Sequence, residues 1–174
     1  MAFQELLQYF YKRDFSKKET LLEMGQIACE IYFIEKGCIR LYYDKDGQDI
    51  NAYFFTEGMF AGAYDSFITQ KPSRHSLKCL EDGVMLYLPH EAFVRLLAEK
   101  PTLNGEVRQI LEERFVALHD LFTAQILDSA EERYVQLMEQ RPDLIARIPQ
   151  HHLATFLGIT PVSLSRIRGK LARG

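Results

Sequence analysis

Between Thr102 and Leu127 nine apolar residues recur at steps of three and four: Leu103, Val107, Ile110, Leu111, Phe115, Leu118, Leu121, Phe122 and Ile126. This rhythm predicts a single helix ~38 Å long, more than a small barrel can cover. Such a stripe is either buried along its whole length within one chain or shared as a seam with a second copy. The seam is the preferred reading, because the segment before the helix is too small to hide the stripe. Whatever else the chain forms must be arranged around this rod.

Ahead of the rod, residues 3–11 (FQELLQYFY) read as a short amphipathic helix. From Thr20 to Leu88 the period changes. Ile39, Leu41 and Tyr43 alternate with Arg40 and Tyr42, the pattern of a half-buried strand. Asp46-Gly47 marks a tight hairpin, after which Ile50, Ala52 and Phe54 alternate again. Gly25, Gly37, Gly58, Gly62 and Gly83 fall at turn-like places. Short strands at this spacing imply a sandwich or barrel rather than a βαβ unit. Pro89 opens a helix with Phe93, Leu96 and Leu97 on one face. Beyond the rod, Ser129 and Glu132 form an S-x-x-E capping box. The helix it starts points Tyr134, Leu137 and Met138 inward and ends near Arg141-Pro142. The fold class is therefore α+β, with expected units at 1–100, 101–128 and 129–174.

Charge is divided unevenly. Residues 1–143 hold all 24 acids and 16 of the 21 bases, a balance of −8, whereas residues 144–174 hold five bases and no acid, +5. That split suggests that the C-terminal end meets a polyanion. Cys29, Cys38 and Cys79 are too scattered for a disulfide framework or zinc site and read as small buried hydrophobes. No signal peptide and no apolar run of the ~20 residues that span a bilayer are seen, so a soluble, cytoplasmic protein without membrane contact is expected. No catalytic triad, P-loop or dinucleotide fingerprint is present, and an enzyme is not expected. A metal-dependent β-barrel enzyme would need two histidines and a carboxylate on adjacent strands, and the strand region offers only His75.

From Pro149 to Leu171 the requirements of two helices crossing at a tight turn are met together. Ala154 is the small residue at the crossing, and Gly158, four later, is the turn. Leu153, Leu157, Ile159, Leu164 and Ile167 are the core positions. Thr160 can cap the second helix, and Pro161 takes its first position, where a missing N–H costs nothing. With Leu164, Ile167, Arg168 and Leu171 inward, Val162, Ser163, Arg166 and Lys170 face outward. In the major groove Arg166 could pair with guanine and Ser163 with either base edge, while Val162 could touch a thymine methyl. Lys170, Arg168 and Arg173 suit phosphates. His151 and His152 open the first helix and are expected at the surface.

The strand-rich unit, the long helix and the segment LATFLGITPVSLSRIR resemble the Crp/Fnr superfamily of bacterial regulators over nearly the whole chain. The likeness is closest to a short subfamily whose second helix begins GITP-x-x-LSRIR. It implies a double-stranded β-helix of the cyclic-nucleotide-binding type (a β-roll sensor), a coiled-coil homodimer, and paired helix-turn-helix units on a palindromic operator of double-stranded DNA, with RNA polymerase as a further partner. It also implies a ligand site at Gly62, Ala63, Arg74 and Ser76, and a DNA-binding set of Thr160, Val162, Ser163, Arg166, Arg168 and Lys170. The effector itself is unknown. The family's cyclic-AMP site uses a glutamate for the ribose hydroxyl and an arginine for the phosphate; Phe60-Ala61-Gly62-Ala63 puts Ala63 at the glutamate position. Arg74 lies near the arginine position, although counting back from strand Val84–Leu88 puts Ser73 there. Cyclic AMP is accordingly not the expected effector. Iron–sulfur members need a cysteine cluster that is missing, and no local motif supports a haem ligand at His75 or His119. The β-hairpin wing that many relatives carry after the second helix is not expected. A competing reading from another class is a ligand-binding or protein-interaction module whose shortened C-terminal part does not read DNA.

Overall fold

A computed structural model describes residues 3–173; Met1, Ala2 and Gly174, at the outer ends of the first and last expected units, lie outside the described residues. Two four-stranded antiparallel sheets form the N-terminal roll. In one, β1 (Tyr11–Phe15), β8 (Gly83–Pro89), β3 (Glu30–Lys36) and β6 (Phe60–Ala61) lie side by side in that order. In the other the order is β2 (Thr20–Leu22), β7 (Ser76–Cys79), β4 (Ile39–Lys45) and β5 (Gln48–Phe55). Ile34 and Met85 from the first sheet and Ile39 and Leu77 from the second meet in one core, sealed from water. The helix expected over residues 3–11 shrinks to α1 (Gln4–Leu7). Tyr11 instead pairs opposite Tyr87, because a ladder to β8 is available there and an isolated turn of helix is weak.

The β4–β5 hairpin turns at Asp46 and Gly47, whose φ angles of 55° and 79° suit the two-residue turn that matches strand twist. Further along, Tyr42 pairs with Asn51 and Leu41 with Tyr53, so Ala52 is an extra residue in β5. This bulge breaks the alternation expected for Ile50, Ala52 and Phe54. Tyr53 and Phe55 pack with the roll core, whereas Asn51 and Phe54 turn to the opposite side.

Helices account for the rest. α2 (Tyr64–Thr69) buries Phe67 against Phe93 of α3 (His90–Glu99), with ring centroids 5.3 Å apart. A single 3-10 turn at Pro101–Leu103 leads into α4 (Asn104–Leu127), 24 residues or ~36 Å long. None of the α4 residues is fully buried. Its apolar side chains divide between two faces, Val107 and Ile110 packing toward the roll while Phe115, Leu118, Phe122 and Ile126 stand exposed. The single stripe read from the sequence is thus two stripes. α5 (Ala130–Gln140) starts at the expected capping box, Ser129 accepting from Glu132 N at 3.3 Å and Glu132 from Ser129 N at 2.7 Å. α6 (Pro142–Arg147), α7 (Gln150–Phe156) and α8 (Pro161–Leu171) follow. They enclose a second core of Tyr134, Leu137, Leu144, Ile148, Leu153, Ala154, Leu157 and Leu164.

This second core is not closed by helices alone. Phe54 and Cys38, both from the roll, belong to it, and the Phe54 ring lies 5.3 Å from that of Phe156. Phe54→Ala should lower the unfolding free energy by about 3–5 kcal/mol, a large-to-small loss in a packed site. Urea titration would read that loss, and faster amide exchange in α7 than in β3 would locate it at the roll–helix contact.

Candidate functional site

Two features stand out, a cavity in the roll and an outward helix face, and β5 lies between them. The cavity, of about 880 Å³, opens between the roll and α4, a size within the ~300–1,000 Å³ of small-molecule sites. Ile31, Leu41 and Tyr53 line it from the roll, Phe93 from α3, and Val107 and Ile110 from α4. Among the polar groups that interrupt this apolar lining, Arg114 and His75 are the ones drawn furthest from water. Arg114 comes from α4, its guanidinium over the rings of Tyr53 (4.7 Å) and Phe55 (5.0 Å), with Nη2 donating to the Phe60 carbonyl at 2.7 Å. His75 comes from the turn before β7, where Ser73 Oγ accepts from His75 N and donates to its carbonyl. Burial lowers the His75 pKa, the Asp65 carboxylate 4.0 Å away opposing it only in part, so the ring is neutral at neutral pH. Of the four residues expected at the ligand site, Gly62 lines the cavity. Ala63 is buried at the start of α2, Ser76 Oγ is engaged by Met24 N at 2.9 Å, and Arg74 is exposed outside the cavity. Sequence reasoning passed over Arg114 altogether. The signal was there: 103, 107, 110, 114 continue the three–four rhythm, and position 114 carries a charge.

The outward face belongs to α8. Gly158 makes the turn between α7 and α8 with φ 70°, and Ala154 is wholly buried where the helices meet. Thr160 caps α8, its Oγ1 accepting from Ser163 N at 3.2 Å and lying 3.0 Å from Ser163 Oγ. Leu164 anchors the inner side, with Ile167 and Leu171 partly buried beside it. Val162 and Arg166 are exposed. Arg168, expected inward, is exposed as well, because Leu164, Ile167 and Leu171 already fill the narrow inner side. Lys170 is 2.7 Å from Glu131 of α5. Among the described residues no carboxylate pairs with Arg166, Arg168 or Arg173.

Between cavity and helix face, α7 rests on β5. Arg147 is held by Glu57 at 2.8 Å and Glu81 at 2.6 Å, and Arg141 donates to Thr56 Oγ1 at 2.8 Å. The Arg147 hydrogen bonds, against some desolvation, hold the Glu57 carboxyl down at about 2. Asn51 donates to Thr155 Oγ1 at 2.8 Å. His152, expected at the surface, is half-buried here, its Nδ1 3.2 Å from Asn51 Nδ2 and 3.5 Å from Arg40 Nη1. Two donors aimed at Nδ1 require its lone pair. Burial, then the Arg40 charge, lower the His152 pKa to about 4. Cys38 and Cys79 are buried as expected, but Cys29 is exposed, since it lies just ahead of β3 in a loop and not within a strand. Among the described residues no group of three or more His, Cys, Asp or Glu is placed to hold a metal ion, and no helix is long and apolar enough to cross a membrane.

A family model described as "Cyclic nucleotide-binding domain" matches residues 12–100. No curated protein matches the sequence. Several solved structures share the architecture at low identity. One is CLP of Xanthomonas campestris, described as a c-di-GMP-responsive global regulator, at 15% identity, covering 98% of this chain and 90% of that one with a TM-score of 0.76. FixK2 of Bradyrhizobium japonicum is 15% identical over 94% of this chain and 85% of that one, TM-score 0.80. The Thermus thermophilus catabolite activator protein is 21% identical over 96% and 80%, TM-score 0.57. At these identities the likeness is one of fold.

The His152 contacts set a pH dependence. The unfolded chain titrates this ring near 6.5 and the folded chain near 4, so between those values the unfolded state binds more protons and stability falls as pH is lowered. His75 adds in the same direction. Urea midpoints measured at pH 7.5 and 5 should drop for the wild type and drop less for His152→Asn. An equal drop in both would remove His152 from the cause.

Proposed function

The chain belongs to the cyclic nucleotide-binding domain family, and from that premise we propose that it is a homodimeric, sequence-specific DNA-binding transcription regulator of the Crp/Fnr type. In this reading residues 1–100 are the sensor roll, 101–128 the dimerisation helix and 129–174 a helix-turn-helix unit whose second helix begins as in the short subfamily. The observation that carries it is the α8 face: a capped helix on a buried anchor, with Val162 and Arg166 exposed and Ser163 half-buried at its start, beside Arg168 and Arg173, which like Arg166 have no carboxylate partner among the described residues. Such a face would meet base edges at its N-terminal end and phosphates along its length. Thr160 would serve by capping, and its bond to Ser163 leaves that hydroxyl two lone pairs if Ser163 donates, or its proton and one lone pair if Ser163 accepts, for a base. Arg168 would take a phosphate. Lys170 would have to leave Glu131 to do the same.

The exposed stripe Phe115, Leu118, Phe122 and Ile126 supports pairing of two α4 helices, since four large apolar residues on one solvent-facing line are costly in a lone chain. Pairing would also present two α8 helices to the half-sites of a palindrome. The cavity beneath α4 is the effector site in this reading, and the effector is a small molecule other than cyclic AMP. Ala63 offers no carboxylate for a ribose hydroxyl, and Arg74 is too far out to clamp a phosphate. The protein would act in the cytoplasm, with RNA polymerase as the machinery it regulates, and it has no catalytic step.

Selection of bound sequences from random DNA, with and without small-molecule extract, tests this directly. A two-fold symmetric consensus is expected, bound less well as salt rises. Arg166→Ala should weaken binding about tenfold or more, the ~1–3 kcal/mol of one base-edge pair. Phe122→Glu should convert a sedimenting dimer to monomer and weaken binding with it. If no fragment is retained at low salt, with or without extract, the reading gives way to a ligand-binding or protein-interaction module.

A further inference from the structure

The chemistry of the cavity is concentrated at two atoms. Arg114 Nη1 is buried and has no hydrogen-bond partner, and no carboxylate pairs with this guanidinium among the described residues. The other charged groups lining the cavity are accounted for. Arg108 and Glu112 pair with each other at 3.5 Å on the exposed side of α4, and Asp65 faces His75. A guanidinium withdrawn from water needs an anion to offset its lost hydration. The rings of Tyr53 and Phe55 give it a cation–π surface, which fixes its plane but does not neutralise it. The second atom is His75 Nε2, on a side chain 7% exposed, also buried without a partner. Around these two the walls are Leu6, Ile31, Leu41, Phe60, Phe93 and Ile110.

We propose that this cavity takes a hydrophobic carboxylate, the anionic head on Arg114, one further hydrogen bond from His75, and the acyl or aryl body along the apolar walls. The proposal rests on reading the cavity as the effector site and names the effector's class. One unpaired cation matches one negative charge. A nucleotide would present a ribose and a base with many polar edges to a mostly apolar lining, where beyond Arg114 and His75 only the tyrosines Tyr43, Tyr53 and Tyr64 and the already engaged Asp65, Arg108 and Glu112 could meet them. The neutral state of His75 suits this role, because a second fixed cation would call for a dianion. A carboxylate also offsets the lost hydration of the guanidinium, and the ion pair it completes lies under aromatic cover.

Calorimetric titration of the full chain decides it, with decanoate and 4-phenylbutyrate as acids, decanamide and 4-phenylbutyramide as uncharged counterparts, and cyclic AMP. At least one acid should bind, with its amide about tenfold or more weaker, the loss of one charge-assisted hydrogen bond. Arg114→Met should erase the difference between acid and amide while the amide still binds. His75→Leu should weaken the acid several-fold, and the acid–amide comparison on the wild type stands even where a variant does not fold. An amide that binds as tightly as its acid overturns the carboxylate assignment and leaves the effector reading intact; cyclic AMP that binds more tightly than both acids overturns the carboxylate assignment and the exclusion of cyclic AMP, and leaves the cavity as an effector site. Failure of all five compounds to bind overturns both.

Discussion

The arrangement depends on one inserted residue in β5. With Ala52 left over in the register, the strand presents Tyr53 and Phe55 to the roll and Asn51 and Phe54 to α7. An unbroken strand would alternate strictly, and one of these two sets would lose its partner. The roll core and the helical core therefore share a wall one strand thick. On the inner side the wall carries the rings on which Arg114 lies; on the outer side it carries the first helix of the α7–α8 pair. A shift of Tyr53 by a ligand and a shift of Phe54 under α7 are movements of adjacent residues.

Polar contacts along the same wall give the docking of α7 a direction. Arg147 between Glu57 and Glu81 is a two-carboxylate clamp at the rim, partly open to water, and contributes less than its distances suggest. Asn51, His152 and Thr155 lie deeper and fit together only in one geometry, with one ring nitrogen unprotonated. Phe54, Cys38 and Leu80 supply the apolar packing of the roll against the helices, and the polar cluster constrains its angle. The same division appears in α4, whose inner face packs on the roll and whose outer face is apolar without a cover.

Local signals in the sequence were reliable because each is decided within a few residues. Asp46-Gly47, the Ser129–Glu132 box, Gly158 and the Thr160-Pro161 start of α8 all form as their residues dictate. The switch from strands to helices at Pro89 is of the same kind. What could not be read depends on partners distant in the chain. The β8 ladder turns Tyr11 into a strand residue, the bulge turns Phe54 outward, and Glu57 and Glu81 pair with Arg147, one of the five bases counted in the C-terminal surplus. At the cavity, Gly62 was legible from a resemblance, while His75 was weighed only as a ligand to haem or to the metal of a β-barrel enzyme. Arg114 was legible in principle, as the one charge in an otherwise apolar rhythm, but its meaning required knowing that α4 has two apolar faces. On α8 the facing of Arg168 was misjudged because a helix anchored at Leu164, Ile167 and Leu171 has a narrower inner side than three–four spacing alone allows.

α8 is complete before it meets anything. Its cap, its proline start and its Leu164 anchor are all satisfied within the chain. Any partner that docks on it is met by a rigid body, and no ordering entropy is spent on forming the helix at that moment. The heat capacity change of such an association would reflect only the surface that the two partners cover, without the added increment that coupled folding brings. Affinity on this face is therefore governed by how the module is aimed, and aim is what the wall beneath α7 controls.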